Sequence, residues 1–208
     1  MEKKYLIVNT GSASHKYALY NGGTLLANFN FEKKELDLIT DSSPAEFLLK
    51  TLISKKLIVE AGDITDVCFR IVAPGEYFIN NNTINEEYLT NLSLVKEMAP
   101  LHIAPILEEI NMAKKLLPFA KLFGISDSFF HRNLPEVSAR YAIPEADFLL
   151  GVKRYGYHGI SAASVLEKIK NLHGGIPEKV IICHLGSGSS VTAIKNGESI
   201  DTSMGLTP

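Results

Sequence analysis

Two short stretches of the chain gather the residue types that handle anions. The first is Val8-Asn9-Thr10-Gly11-Ser12-Ala13-Ser14-His15-Lys16-Tyr17, which sets small hydroxyl residues around one glycine at the end of an apolar run. Backbone N–H groups in such a turn can point at an anion. Ser12 and Ser14 add hydroxyl donors and Lys16 adds a point charge. Asn9 offers a neutral oxygen suited to a hydrated Mg²⁺. Composition alone leaves a polar hairpin turn open as a second reading. The second stretch, His184-Leu185-Gly186-Ser187-Gly188-Ser189-Ser190, again follows a β-branched apolar run. Two turns of one kind suit the phosphate chain of a nucleotide. They point to the phosphate chain of a nucleotide as ligand, with Val8 to Tyr20 as a phosphate-handling turn.

The elements that must position these turns follow from local pattern. Tyr5 to Asn9, His15 to Tyr20 and Thr24 to Phe31 read as strands, with Asn21-Gly22-Gly23 as a hairpin turn. Ser43, Pro44 and Glu46 form a capping box that opens a helix. Val67 to Val72 is a strand, Asn85 to Glu97 and Ile103 to Leu117 are helical, and Lys121 to Ile125 is a strand that delivers Ser126-Asp127. Pro135 to Pro144 is irregular or short-helical. Ala162 to Leu172 is a helix stopped at His173-Gly174-Gly175. Val180 to His184, Ser189 to Ile194 and Ser199 to Asp201 are strands, with a turn at Asn196-Gly197. Strand-turn-strand-turn-strand thus occurs twice, and predicts two copies of one α/β domain type, the second incomplete. The expected division is 1–150 and 151–208.

Composition bounds the class. The chain has 208 residues, 46% apolar and 21% charged, with net charge −2. That charge gives no reason to expect a nucleic-acid partner, and no run is long and apolar enough for a membrane span. The pairs Lys33-Lys34, Lys55-Lys56 and Lys114-Lys115 read as solvated helix faces. Cys68 and Cys183 sit in apolar runs without metal-ligand spacing, and are expected to be buried free thiols of a reducing, cytoplasmic protein.

The sequence resembles the acetate kinase family. Asn9 to Tyr17 is similar to its N-terminal signature. Further matches follow in the family's order: Ala99-Pro100-Leu101-His102, Asp127 to His131, Arg154 to Gly159, His184 to Gly188, and Asp201 to Pro208. The resemblance implies the actin-like ATPase (ribonuclease H-like) fold, with a mixed sheet that starts antiparallel and is flanked by helices, followed by an incomplete second copy. It implies reversible transfer of the ATP γ-phosphoryl group to acetate, giving acetyl phosphate and ADP, with Mg²⁺ or Mn²⁺. Arg70, Asp127 and His158 are then catalytic, Arg70 also gripping substrate. His102 is a substrate residue, and Val72, Leu101, Tyr157 and Pro208 line a pocket for the acyl methyl. Asn9 is assigned to the metal; Lys16, Ser12, Ser14, His184, Leu185, Gly186, Ser187 and Gly188 to ATP. His15, His131 and His173 have no matched role and are expected to be surface or structural. A homodimer is implied for the full-length protein.

Some positions depart from the family pattern. Ala73-Pro74-Gly75 replaces His-Gly-Gly after Val72, and Pro74 lacks an N–H. Ala162 replaces a histidine, Tyr157 a phenylalanine, Ser187 an asparagine, and Ile103-Ala104 an Asn-Pro pair. The sequence also stops within the last motif, whereas members run on, so this chain is expected to be an incomplete, poorly active portion. Propionate or another short acid is an alternative substrate. A non-catalytic nucleotide-binding or scaffold relative is the competing class.

Overall fold

The computed structural model describes residues 3–11, 14–36, 43–186 and 188–205. The chain divides into two compact units, Met1–Ile71 with Asn82–Ile125, and Val72–Asn81 with Ser126–Pro208. This grouping by contact cuts across the division at residue 150: the loop after Arg70 and the segment from Ser126 onward group with the C-terminal strands.

The first unit is built on a six-stranded mixed sheet. Its strands are β1 (Lys4–Thr10), β2 (Ser14–Asn21), β3 (Thr24–Glu32), β4 (Ile64–Ile71), β5 (Asn82–Thr83) and β6 (Lys121–Ser126), in spatial order β3-β2-β1-β4-β6-β5. β1, β2 and β3 form an antiparallel meander, and β1 pairs parallel with β4. Period-two alternation sends Leu6, Val8, Tyr17, Leu19, Val67 and Phe69 into the core. Helices α1 (Lys33–Leu36), α2 (Pro44–Ser54), α3 (Glu86–Leu94) and α4 (Pro100–Leu116) follow in the same unit. α2 buries Leu48 and Leu52, one turn apart; α4 buries Ile103, Ile106, Ile110 and Ala113 and packs on β1 and β4. The expected capping box is present: Ser43 Oγ accepts from Glu46 N and the Glu46 carboxylate accepts from Ser43 N.

The second unit holds short helices α5 (Glu136–Ala139) and α6 (Glu145–Leu149), then α7 (Gly159–His173). Its antiparallel sheet is β7 (Lys179–Leu185), β8 (Ser189–Lys195) and β9 (Glu198–Thr202). Ala162 and Leu166 of α7 bury against Ile182 and Ile194. Ala162, a departure from the family pattern, is therefore a packing residue. Cys183 corrects an expectation. The thiol is expected to be buried, yet Val180 and Ile182 are the residues of β7 that pack on the core, and the alternation leaves Ile181, Cys183 and Leu185 exposed. Cys68 is half-buried.

The two meanders correspond residue by residue at their second hairpin. In the first, Asn21 pairs with Thr24 and Tyr20 with Leu25; Leu26 is then skipped and Leu19 pairs with Ala27. In the second, Lys195 pairs with Glu198 and Ile194 with Ser199; Ile200 is skipped and Ala193 pairs with Asp201. A two-residue turn and a bulge at the same distance from it recur in both.

Candidate active site

In the first unit the candidate residues form a row across adjacent strands. Asn9 on β1 stands opposite Lys16 on β2, and Lys16 stands opposite Asn30 on β3. On the other side of β1, Arg70 near the end of β4 donates from Nη1 to Asn9 Oδ1 at 3.3 Å. Sheet pairing thus brings Arg70 and Asn9 together although they are far apart in sequence. Lys16 is exposed, which suits an ammonium that meets a ligand. A cleft of about 340 Å³ is lined by Ile7, Asn9, Lys16, Ala18, Asn28 and Asn30, among others. The sequence reading missed Asn28 and Asn30. Their place beside Lys16 follows from the register of β3, and Asn30 opposite Lys16 becomes legible only once that pairing is known. Other clefts, about 480 Å³ around Lys4 and Asp63 and about 310 Å³ around Phe119, contain none of the expected residues.

The turn itself is tied at Gly11, whose N–H donates to Ser14 O at 2.8 Å. Ser14 opens β2, while Ser12 lies outside the described residues. Thr10 Oγ1 is buried and has no hydrogen-bond partner among the described residues. Behind the turn, Tyr17 donates to Glu109 Oε1 at 2.8 Å, and His15 Nδ1 reaches the same oxygen at 2.9 Å. Burial, with Glu109 alongside, pushes the Tyr17 phenol well above its ordinary value. This network ties β2 to α4, so His15 is structural, as expected. Leu101 and His102 lie in the first turn of α4, Leu101 exposed and His102 half-buried.

In the second unit Asp127 is buried just beyond β6. Its neighbours hold it: Ser126 N donates to Asn81 Oδ1 at 2.8 Å, and Ser126 Oγ donates to Phe78 O. The loop Val72 to Gly75, where the sequence departs from the family, leads into the turn that contains Phe78. Val72 and Ala73 are buried and Gly75 takes φ 107, a backbone that favours glycine.

Asp127 then positions the start of α7. Its Oδ2 accepts from His158 N and its backbone oxygen from Gly159 N, both at 2.8 Å. A carboxylate at a helix N-terminus also complements the helix dipole. His158 itself is left-handed, at φ 61 and ψ 17. Such a backbone on a non-glycine residue costs roughly 1–3 kcal/mol and persists only where its surroundings hold it. Here they do. His158 Nδ1 meets Ser190 Oγ at 3.0 Å, and its ring stacks on His184 with centroids 4.1 Å apart. Gly159 must be glycine, because a Cβ there would stand 3.0 Å from Phe130 Cβ and closer still to Asp127 O.

His184 is the next-to-last residue of β7, which leads to Gly186 and Gly188; Leu185 is exposed, and Ser187 lies outside the described residues. Tyr157 is fully buried with Val72 and Met204, so two of the four expected acyl-pocket residues share one apolar cluster. Pro208 lies outside the described residues. Burial drives the Tyr157 phenol well above its ordinary range. His131, without a matched role, is buried: Nε2 donates to Tyr157 O at 3.2 Å and Nδ1 meets Ser199 Oγ at 2.8 Å. Among the described residues no cluster of three or more His, Cys, Asp or Glu could hold a metal on its own.

Residues 25–208 match the Acetokinase family. The acetate kinase of Phocaeicola vulgatus is 37% identical over 231 residues, covering 99% of this chain and 58% of that protein. The acetate kinase of Oceanobacillus iheyensis is 38% identical over 181 residues, covering 85% and 45%. A solved propionate kinase from Francisella tularensis superposes with a TM-score of 0.84 at 29% identity, covering 99% of this chain and 58% of that one. The acetate kinase of Porphyromonas gingivalis gives 0.81 at 30%, with the same coverage. The chain therefore spans about half the length of these relatives. Its fold is the actin-like α/β fold that the resemblance implied. Motifs, fold and overall likeness agree, and the chain belongs to the acetokinase family.

Proposed function

We propose that this chain serves an acetate kinase, which transfers the γ-phosphoryl group of ATP reversibly to acetate by direct in-line attack. A carboxylate oxygen of acetate forms the new P–O bond as the bond to ADP breaks, and no proton is transferred. The observation that carries the reading is His158, held in a strained backbone by Asp127 and backed by His184 at the glycine-rich turn. Phosphoryl transfer asks for alignment and charge neutralisation more than covalent chemistry. Arg70 grips the carboxylate or phosphate through its planar fork. His158 donates to the moving phosphoryl group, and Asp127 fixes where His158 stands. Lys16, Ser14 and Ser12 meet phosphate oxygens on one turn, and His184 to Gly188 meet them on the other. His102 contacts substrate, while Val72, Tyr157, Leu101 and Pro208 shape the acyl pocket.

ATP enters as its Mg²⁺ or Mn²⁺ complex. Asn9, a neutral oxygen donor, would be one protein contact to such an ion. The ion supplies neutralisation of the phosphate oxygens. Asn9 Oδ1 accepts from Arg70, so the side chain that would contact the ion also holds the guanidinium.

We place residues 1–150 in the N-terminal actin-like domain and 151–208 in the start of a second, nucleotide-binding copy; the matching turn and bulge of the two meanders support this. A homodimer and a cytoplasmic location belong to the same reading. No helix among the described residues is long and apolar enough to cross a membrane. Propionate is a second reading, favoured by the likeness to the Francisella propionate kinase. One methylene changes discrimination by only about 1–3 kcal/mol. Calorimetric titration of the chain with Mg·ATP and with acetyl phosphate tests the function: binding of both is expected, and binding of neither refutes it. Titration with propionyl phosphate beside acetyl phosphate ranks the two acids.

A further inference from the structure

Three histidines of the second unit share one arrangement. His131, His158 and His184 each place Nδ1 on a serine hydroxyl: Ser199 at 2.8 Å, Ser190 at 3.0 Å and Ser161 at 2.9 Å. A hydroxyl can donate to an imidazole nitrogen or accept from it, so the other ring nitrogen decides. For His131 the decision is forced. Its Nε2 faces the Tyr157 carbonyl, which only accepts, so Nε2 carries the hydrogen and Ser199 donates to Nδ1.

The same logic applies to His158. Phosphoryl oxygens only accept, so an imidazole that meets them must present N–H. A carboxylate on Nδ1 would draw the hydrogen to that nitrogen and leave a lone pair on Nε2, unless the ring were charged. A serine can instead give its own hydrogen to Nδ1. Ser190 is buried on β8, which favours a lasting bond. The opposite edge of the ring lies along Gly188, where a Cβ would stand 3.3 Å from both Cε1 and Nε2 of His158, so glycine puts no side chain of its own against that edge. The ring plane is set by His184, stacked at an interplanar angle of 26° and itself held by Ser161.

We propose that Ser190 is a positioning residue that donates to Nδ1 of His158 and fixes its Nε2–H tautomer, so that a neutral imidazole donates to phosphoryl oxygens, with the Ser161-held ring of His184 fixing its plane. This rests on the reading of His158 as the group that touches the phosphoryl. The test uses the chain labelled with ¹⁵N-histidine, in long-range ¹H–¹⁵N spectra at pH 8. His158 should show the Nε2–H pattern. Ser190→Ala should mix in the Nδ1–H form and weaken acetyl phosphate roughly tenfold, and Ser190→Thr should restore both. A dominant Nδ1–H form in the unmodified chain overturns the proposal, and so does an unchanged tautomer in Ser190→Ala. The unmodified spectrum decides the tautomer even if Ser190→Ala does not fold. His158→Ala separates the two layers: unchanged acetyl phosphate binding in that variant would sink the reading of His158, whatever its tautomer.

Discussion

His131 is the residue whose burial pH should reveal most directly. Burial holds its imidazole below the ordinary histidine value, outweighing the Tyr157 carbonyl bond and the nearby Asp127. Its folded pKa is thus depressed relative to an unfolded value of about 6.5, and the unfolded chain takes up the proton first. Stability from this group is full above about pH 6.5 and falls as pH drops below it, by at most about 1.4 kcal/mol per pH unit until the folded pKa is reached. Urea unfolding from pH 8 to pH 5 should show this slope. His131→Asn should lower stability at pH 8 and flatten the slope; a parallel curve would argue against the assignment. Arg70 gives a second expectation. Its fork can meet a carboxylate or phosphate with two N–H groups, whereas lysine offers a point charge. Losing one charge-assisted bond is worth about 1.5–3 kcal/mol, so Arg70→Lys should weaken acetyl phosphate roughly tenfold to a hundredfold by calorimetry. Asn9, Arg70, Asp127 and His158 could be proposed from sequence because each sits in a sequence-local motif or register. Ser190, Ser161 and Asn30 were not. A serine on β8 acquires meaning only from the ring that the start of α7 places against it.

Elements were legible where their signals are local. The capping box at Ser43 and the hairpin glycines after Asn21 were read correctly because caps and turns depend on a few neighbouring residues. The starts of two helices were read late. α4 begins at Pro100 and α7 at Gly159, three residues before the first position expected in each case. Both starts carry a proline or glycine that locally argues for a loop. Pro100 is acceptable in the first helical turn because that N–H has no helical partner. Gly159 is set by tertiary contact with Asp127 and Phe130, which the local pattern does not contain. Gly124 shows the same effect inside β6. A Cβ there would stand 2.8 Å from Cζ of the buried Tyr88 on α3 and 3.2 Å from Ile71 Cγ1. The tyrosine fills the space that glycine leaves, and neither neighbour can swing into solvent. Gly124→Ala should therefore destabilise by about 1–3 kcal/mol through overpacking. Urea unfolding should show a lower midpoint at unchanged m; an unchanged midpoint would mean that α3 yields at little cost.

For the whole molecule, the duplicated strand pattern was legible as two apolar strand-turn runs, but its exactness was not. The shared bulges at Leu26 and Ile200 appear only in the pairing, because a skipped residue leaves no local sign. Which segments pack together depends on long-range contacts such as Ser126 with Phe78, which leave no local sign in the sequence. Ligand linkage provides the test at this scale. A ligand that binds only the folded chain adds RT ln(1 + [L]/Kd), or about 2.7 kcal/mol at a hundredfold excess over Kd. For a chain of 208 residues that corresponds to a Tm rise of about 5–10 °C. Mg·ATP and acetyl phosphate should each produce such a rise in a thermal melt. EDTA should remove most of the ATP effect, because the phosphate oxygens would then meet Lys16 and Arg70 without their metal. A short DNA oligonucleotide should leave Tm unchanged, given a net charge of −2. The Arg70→Lys chain should lose about half or more of the acetyl phosphate rise. A rise with DNA and none with either phosphate ligand would replace the kinase reading with a nucleic-acid one.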